Sequence, residues 1–266
     1  MSFLSIEIKI IGLLSFLLLS FTGCHNKKTY QNQNIQLSKR MCPGLIAFVS
    51  QGNRSTGDRA IYTMNKDGSN QKNLTSNTVF SNHPVWSPNG KYIAFQSLAN
   101  ITYFKNQIYV MNTDGSHLKN LSKSETSDSL PLWSPNGQYI AFTRSFASDN
   151  QSNDITQNNI RCSKLRVKDN IYVMNSDGSN QKNLAKMRDE QMLSVPIGWS
   201  QDSKRVFFHA FKLCDTQTVA YLSAVDVDTL NETVITELPQ YGRYTAKISL
   251  SPNGQKIAFH DFLIYI

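Results

Sequence analysis

Side chains able to carry chemistry are few in this chain, and they are scattered. A serine follows Asp-Gly three times, at Ser69, Ser116 and Ser179. Each occupies the same place in an internal repeat, so turn geometry explains it before nucleophilic catalysis does. No G-x-S-x-G elbow accompanies these serines, and a peptidase would need a hydrolase domain that the repeats do not supply. The histidines (His25, His83, His117, His209 and His260) have no metal-ligand spacing. His83 precedes Pro84 at the entry to a repeat, a place that leaves a central channel open to it, and His209 and His260 follow the second strand of their repeats; all five are expected to be solvated or partly packed. No carboxylate pair stands out for acid-base work. Cys42, Cys162 and Cys214 show no C-x-x-C spacing; Cys162 and Cys214 either pair, tying a long insert to the following repeat, or remain free thiols. The expectation is therefore a protein that is not an enzyme, with no catalytic residue, cofactor or metal.

What must position these side chains is a repeat. Pro84 to Leu121 reads PVWSPNGKYIAF, a connection, then IYVMNTDGSHLKNL, and the pattern recurs at Pro131 to Leu184 as PLWSPNGQYIAF, an insert, then IYVMNSDGSNQKNL. It degenerates from Pro196 to Leu238; a partial copy precedes the first full one at Ile46 to Leu74, and another follows at Ile248 to Ile266. Trp86 and Trp133 are 47 residues apart and Trp133 and Trp199 are 66 apart, the excess lying between Phe146 and Asp169. Within a copy, Val85-Trp86 is a short strand and Ser87-Pro88-Asn89-Gly90 a turn. Tyr92 to Phe95 and Ile108 to Met111 are further strands, and Asp114-Gly115 turns the chain into a fourth that ends at Leu121. A four-stranded antiparallel unit cannot bury both of its faces alone, and a period of about 40 to 47 residues is that of units stacked around an axis.

The fold expected is all-β: a β-propeller of four-stranded antiparallel blades, about five of them present, with repeats at 45–75, 84–122, 131–185, 196–238 and 248–266. The first copy lacks strand one and the last stops early, so the two either share a closing blade or stand as incomplete sheets, as in a truncated six-bladed propeller. Trp86, Trp133 and Trp199 are expected on the innermost strands, packed between neighbouring blades. Gly90, Gly137 and Gly254, with Gly68, Gly115 and Gly178, are expected to supply turns that all emerge at one end of the propeller. The polar insert 146–169 should emerge at the opposite end.

These motifs resemble the propeller repeat of the TolB family, a periplasmic component of the Tol-Pal envelope system, and the resemblance spans Leu45 to Ile266. The same repeat occurs in uncharacterised lipoproteins and in the propellers of prolyl-oligopeptidase-like enzymes. TolB itself has a further N-terminal α/β domain and is not lipid-anchored, so the resemblance implies a TolB-like propeller and not TolB. By this resemblance the function expected is protein binding or scaffolding in the cell envelope, with an envelope partner that is Tol-Pal-like. The rivals are a propeller remnant without independent function and a lyase or hydrolase using channel residues.

Residues 1–23 hold an apolar run, Ile10 to Phe21, too short to span a bilayer and suited to a secretory leader. The stretch Leu19-Ser20-Phe21-Thr22-Gly23-Cys24 resembles the lipobox of bacterial lipoproteins, which implies acylation of Cys24 and a membrane anchor. His25 after it favours the outer membrane, facing the periplasm. Residues 24–44 are polar and read as a flexible tether. The net charge of +8 is spread over single lysines in turns, without an aromatic-interleaved patch, which argues against nucleic acid as a partner. Arg161, Lys164, Arg166 and Lys168 make the insert locally basic, so the partner surface expected there is acidic.

Overall fold

The computed structural model describes residues 44–51, 59–75, 80–100, 105–147, 155–157, 160–162, 167–185, 193–213, 218–238, 247–251 and 257–260. Among them every regular element is a strand. The first sheet is three-stranded, β1 (Leu45–Gln51), β2 (Arg59–Asn65) and β3 (Lys72–Asn73). The second is a meander of β4 (Ser81–Trp86), β5 (Tyr92–Asn100), β6 (Lys105–Asn112) and β7 (Lys119–Asn120). The third uses β8 (Ser127–Trp133) and β9 (Tyr139–Ala147); the hairpin β10 (Ile155–Gln157) and β11 (Ile160–Cys162) follows, and β12 (Val167–Asn175) and β13 (Lys182–Ala185) complete the sheet. The fourth is β14 (Leu193–Trp199), β15 (Arg205–Leu213), β16 (Thr218–Asp226) and β17 (Glu232–Glu237), and the fifth pairs β18 (Lys247–Leu250) with β19 (Ile257–His260). All pairings among the described strands are antiparallel, and the sheets follow one another in chain order.

The strands are longer than the motifs suggested: β4 begins at Ser81 and β5 runs to Asn100. The insert is correspondingly shorter than 146–169. Phe146 pairs with Lys168 and Ser145 with Asp169, inside the ladder of β9 and β12. Strand pairing explains the difference, because β9 and β12 stay in register past the apolar motif and through polar residues.

Burial shows why the second strands alternate as they do. On β5, Ile93 and Phe95 point into a cluster with Ala47 and Ile61 of the first blade, while Ala94 points the other way into a cluster with Ile140, Phe142 and Met174 of the third. Both faces are buried, so the core is a series of seams between blades. The seam between the third and fourth blades holds Ala141, Ile171, Val173 and Leu184 against Trp199, Val206 and Phe208. Contacts from β4 to β8, β8 to β14 and β14 to β18 run from one first strand to the next, as expected of strands nearest the axis, while β4 packs on β1, the counterpart of β5 in the first blade.

Candidate functional site

One end of the propeller is built from the repeated turns. In the Asp-Gly-Ser turn, Gly68 (φ 85°), Gly115 (φ 90°) and Gly178 (φ 94°) take left-handed conformations, followed by Asn70, His117 and Asn180 near φ 50°. The serine main-chain N–H donates to Asp67, Asp114 or Asp177 at 2.8–2.9 Å, and the hydroxyls of Ser69 and Ser179 donate to the same carboxylates. These hydrogen bonds hold all three aspartates below the usual carboxylate range. The serines are structural. The Ser-Pro-Asn-Gly turns use Gly90 and Gly137 in the same backbone region, and Ser203 (φ 62°) replaces the glycine in the fourth blade.

Both turn families lie at the same end. Ser176 N–H donates to Gln138 C=O at 2.8 Å and Val227 N–H to Lys204 C=O at 2.9 Å, each bond joining the two turns of one blade. Neighbouring blades are clamped there too. Lys72 Nζ donates to Asp114 C=O at 2.8 Å, Lys119 Nζ to Asp177 C=O at 2.9 Å, and Lys182 Nζ to Val227 C=O. A Cβ on Gly178 would stand 2.7 Å from Leu121 O, so glycine is required by close approach as well as by φ.

The tryptophans each pack on the preceding blade. Trp86 joins Ala47 and Ile61, Trp133 joins Ala94 and Ile108, and Trp199 stacks on Tyr139 with ring centroids 6.2 Å apart while Nε1 donates to Leu132 C=O at 3.1 Å. Trp86 and Trp199 are buried, whereas Trp133 is partly buried against its cluster, with Nε1 out of contact with solvent.

A second repeated position lies one residue beyond the core aromatic of each second strand. Gln96 Oε1 accepts from Leu130 N–H at 3.0 Å, and Thr143 Oγ1 donates to Ser194 C=O at 2.9 Å, each bond reaching the first strand of the next blade. His209 holds this position in β15, inside the strand and buried, not after it. It stacks on Phe211 at 5.0 Å, its Nε2 has no hydrogen-bond partner among the described residues, and burial pushes its pKa down to about 4. His83 is inside β4, at a bulge with φ 51°, and Leu130 sits at the matching bulge of β8 with φ 56°. Burial, with Arg59 nearby, lowers the His83 pKa. His117 lies in the turn end, its Nδ1 against Asn112 Nδ2 at 2.9 Å. Among the described residues no group of His, Cys, Asp and Glu is arranged to hold a metal ion.

A polar knot crosses the third blade. Arg144 makes two hydrogen bonds to Asp128, at 2.7 and 2.8 Å, and a third to Gln181 Oε1 at 2.8 Å, with its guanidinium 4.6 Å from the Tyr172 ring centroid. Ser124 Oγ also donates to Asp128, and Gln107 holds the same crossing segment through Ser122, Ser124 and Thr126.

The second strands end and the third strands begin at the end opposite the turns, and it is there that the insert interrupts the third blade. β10 and β11 form a hairpin that places Arg161 across from Thr156. Lys168 belongs to β12 and is half-buried, so it is part of the blade and not of the loop. At the base of the insert Ser145 Oγ donates to Asp169 at 2.6 Å, and Ser194 Oγ of the fourth blade donates to Asp169 C=O at 3.1 Å. Burial raises the Asp169 carboxyl pKa. Cys24, Cys42, Lys164, Arg166, Cys214, Gly254 and the leader and tether through residue 43 lie outside the described residues.

Residues 44–170 match the TolB beta propeller domain. Over that stretch the chain carries TolB-like β-propeller repeats. In overall shape it is similar to a protein assigned as TolB from Agrobacterium tumefaciens, with a TM-score of 0.56 and 18% identity over 82% of this chain and 72% of that one. TolB from Acinetobacter baumannii aligns with a TM-score of 0.55 and 20% identity, over 81% of this chain and 46% of the other. A puromycin hydrolase aligns at 0.58 with 12% identity, over 81% of this chain and 34% of the hydrolase. At such identities the likeness is one of fold. No curated protein matches the sequence.

Sequence reasoning missed the His209 position and the Arg144–Asp128 pair. The first had a signal, since Gln96, Thr143, His209 and His260 each follow the phenylalanine of an apolar run. The second had none, because Asp128 lies in a segment between two motifs.

Proposed function

We propose that this TolB-like propeller is an exported, lipid-anchored docking module without catalytic activity, and that it binds an envelope protein through the end carrying the 148–166 insert. One contrast supports this reading above all. The turn end is occupied by hydrogen bonds within and between blades, including the clamps from Lys72, Lys119 and Lys182. At the opposite end the insert with its added hairpin leaves the sheet just beyond the Ser145–Asp169 pair, and sequence of free length is where recognition is usually placed on a rigid scaffold. Arg161, Lys164 and Arg166 give the insert a basic character suited to an acidic partner surface, with capture that weakens as salt is raised. Cys24 supplies the anchor to the envelope, by resemblance to the lipobox on the periplasmic face of the outer membrane. No nucleic acid and no cofactor enter this reading.

Two experiments test it. Deleting residues 148–166 with a short linker is expected to leave the thermal midpoint within about a few degrees while removing most capture of an envelope partner. Exchanging surface residues around the Asn-Gly and Asp-Gly turns should leave capture intact. Retained capture by the deletion variant, correctly folded by circular dichroism, would move docking to another surface. Separately, Cys24→Ser should abolish fatty-acid labelling and leave unprocessed precursor; equal labelling would remove the anchor.

A further inference from the structure

The outermost strand of the fourth blade differs from its counterparts. β3 and β7 are two residues long and β13 four, and each begins with a lysine whose ammonium bonds to the next blade. Short, lysine-bearing edges are the usual protection against unwanted strand pairing. β17, Glu-Thr-Val-Ile-Thr-Glu, is six residues long, has Thr233 in place of that lysine, and is exposed at every position after Glu232.

Register fixes the comparison. Tyr62, Tyr109, Tyr172 and Ser223 face the core phenylalanines Phe48, Phe95, Phe142 and Phe208, and they pair on their other side with Asn73, Asn120, Asn183 and Val234. The next residue outward is Leu121 or Leu184 in the second and third blades, each 3% exposed, but Ile235 in the fourth, 45% exposed beside Val234 at 39%. Asp226 N–H bonds to Asn231 C=O at 3.1 Å and Leu238 N–H to Ala220 C=O at 2.9 Å, with a bulge at Ile235 between them. Alternation along the ladder then turns the main-chain N–H and C=O of Glu232, Val234 and Glu237 away from β16, the Glu237 C=O accepting a hydrogen bond from Thr236 Oγ1 at 3.0 Å.

The charge along this stretch of sequence runs against that of the chain, although Arg205 lies beside Asp226 and the Lys182 ammonium reaches Val227 C=O at the turn before β17. In a protein of net charge +8, the stretch between Lys212 and Arg243 carries Asp215, Asp226, Asp228, Glu232 and Glu237, with no lysine or arginine. We propose that β17 is a strand-addition site for an extended segment of a partner protein, β-branched at its centre and basic at its ends. Main-chain hydrogen bonds to Glu232, Val234 and Glu237 would hold the segment, Ile235 would give it an apolar anchor, and the two glutamates would select its lysines or arginines. A second copy of β17 fits less well, since its antiparallel pairing about Val234 and Ile235 sets Glu232 against Glu237. The site is distinct from the insert-bearing end and does not rest on the reading of that end.

The test uses the full chain and a capped peptide KTVTVK, read by amide hydrogen exchange. At about 1 mM peptide, exchange at Glu232, Val234 and Glu237 is expected to slow about fivefold or more. The peptide KTPTPK, which lacks two N–H donors, and the acid-ended ETVTVE should give no such protection. Val234→Pro removes one outward N–H, and Glu232→Lys with Glu237→Lys reverses the charge; either should weaken binding about tenfold or more. The double charge variant keeps the test informative should the proline variant misfold. Absence of protection with KTVTVK, or equal protection by ETVTVE or KTPTPK, overturns the proposal. So does protection already present in the free chain: concentration dependence would assign the edge to a second copy, and loss on removing residues 24–43 would assign it to the chain's own basic segment.

Discussion

Arg144 and Asp128 stand directly opposite each other in the ladder of β8 and β9, joined by hydrogen bonds of 2.7 and 2.8 Å, with the Asp128 side chain fully buried. The pair fastens the segment entering the third blade to the blade's own second strand, and Gln181 ties it to the turn before β13. Removing one partner leaves a buried charge without its complement. Arg144→Met is therefore expected to destabilise the protein by about 3 to 5 kcal/mol, whereas the double variant Arg144→Met with Asp128→Leu should recover most of that loss. Chemical denaturation of the two variants checks both. Equal losses would show that an unpaired Asp128 charge is not what the single variant suffers from.

His209 sets a pH dependence. Its folded pKa of about 4 lies below the ordinary histidine value of 6.5, because burial disfavours the imidazolium. The unfolded chain thus binds the proton first as pH falls. The neutral-histidine contribution is complete above pH 6.5 and declines as pH drops toward 4, a loss of about 3 kcal/mol at full extent. Gln96 occupies the same repeated position, so His209→Gln should keep the fold and flatten this part of the stability profile. A profile unchanged by that substitution would show that His209 stays exposed enough to titrate normally.

The glycines of the Asp-Gly-Ser turns are predicted to differ despite their identical motif. Gly68 has open space around the Cβ direction and only its φ of 85° to resist alanine, so Gly68→Ala should cost about 1 to 2 kcal/mol. Gly178→Ala adds a 2.7 Å approach to Leu121 O and should cost about 3 kcal/mol or more. Thermal melts of the two variants make the comparison. Equal shifts would mean that the third blade stands farther from Leu121 of the second than the 2.7 Å approach requires.

Trp199 and Trp133 likewise part company. Trp199→Ala empties a buried seam and removes the bond to Leu132, and is expected to cost about 3 to 5 kcal/mol. Trp133 is only partly buried, so its truncation should cost less, about 1.5 to 3 kcal/mol. Urea midpoints distinguish them, and a larger loss at Trp133 would contradict the burial.

The blades were legible because their signals are local and repeated. Trp86, Trp133 and Trp199 mark the first strands, and the Asn-Gly and Asp-Gly turns state their own conformation through residues that tolerate positive φ. Strand ends were less legible, since Ser145 and Asp169 extend the ladder with polar side chains that no hydrophobic pattern announces. Neither the bulges at His83 and Leu130 nor the partnership of Arg144 with Asp128 was readable, because each depends on which strands lie side by side. The exposure of Ile235 was hidden for a related reason. Its motif position matches Leu184, and only the neighbouring blade decides whether that position is covered.

The central functional claim is that docking uses the insert-bearing end while the turn end serves blade closure. Its most direct test is a hydrogen-exchange footprint of the full chain, with and without the captured envelope partner. Slowed exchange confined to residues 144–170 and the neighbouring second-to-third strand connections is the predicted result. A footprint centred on the Asp-Gly turns at Gly68, Gly115 and Gly178, with the insert unchanged, would contradict it.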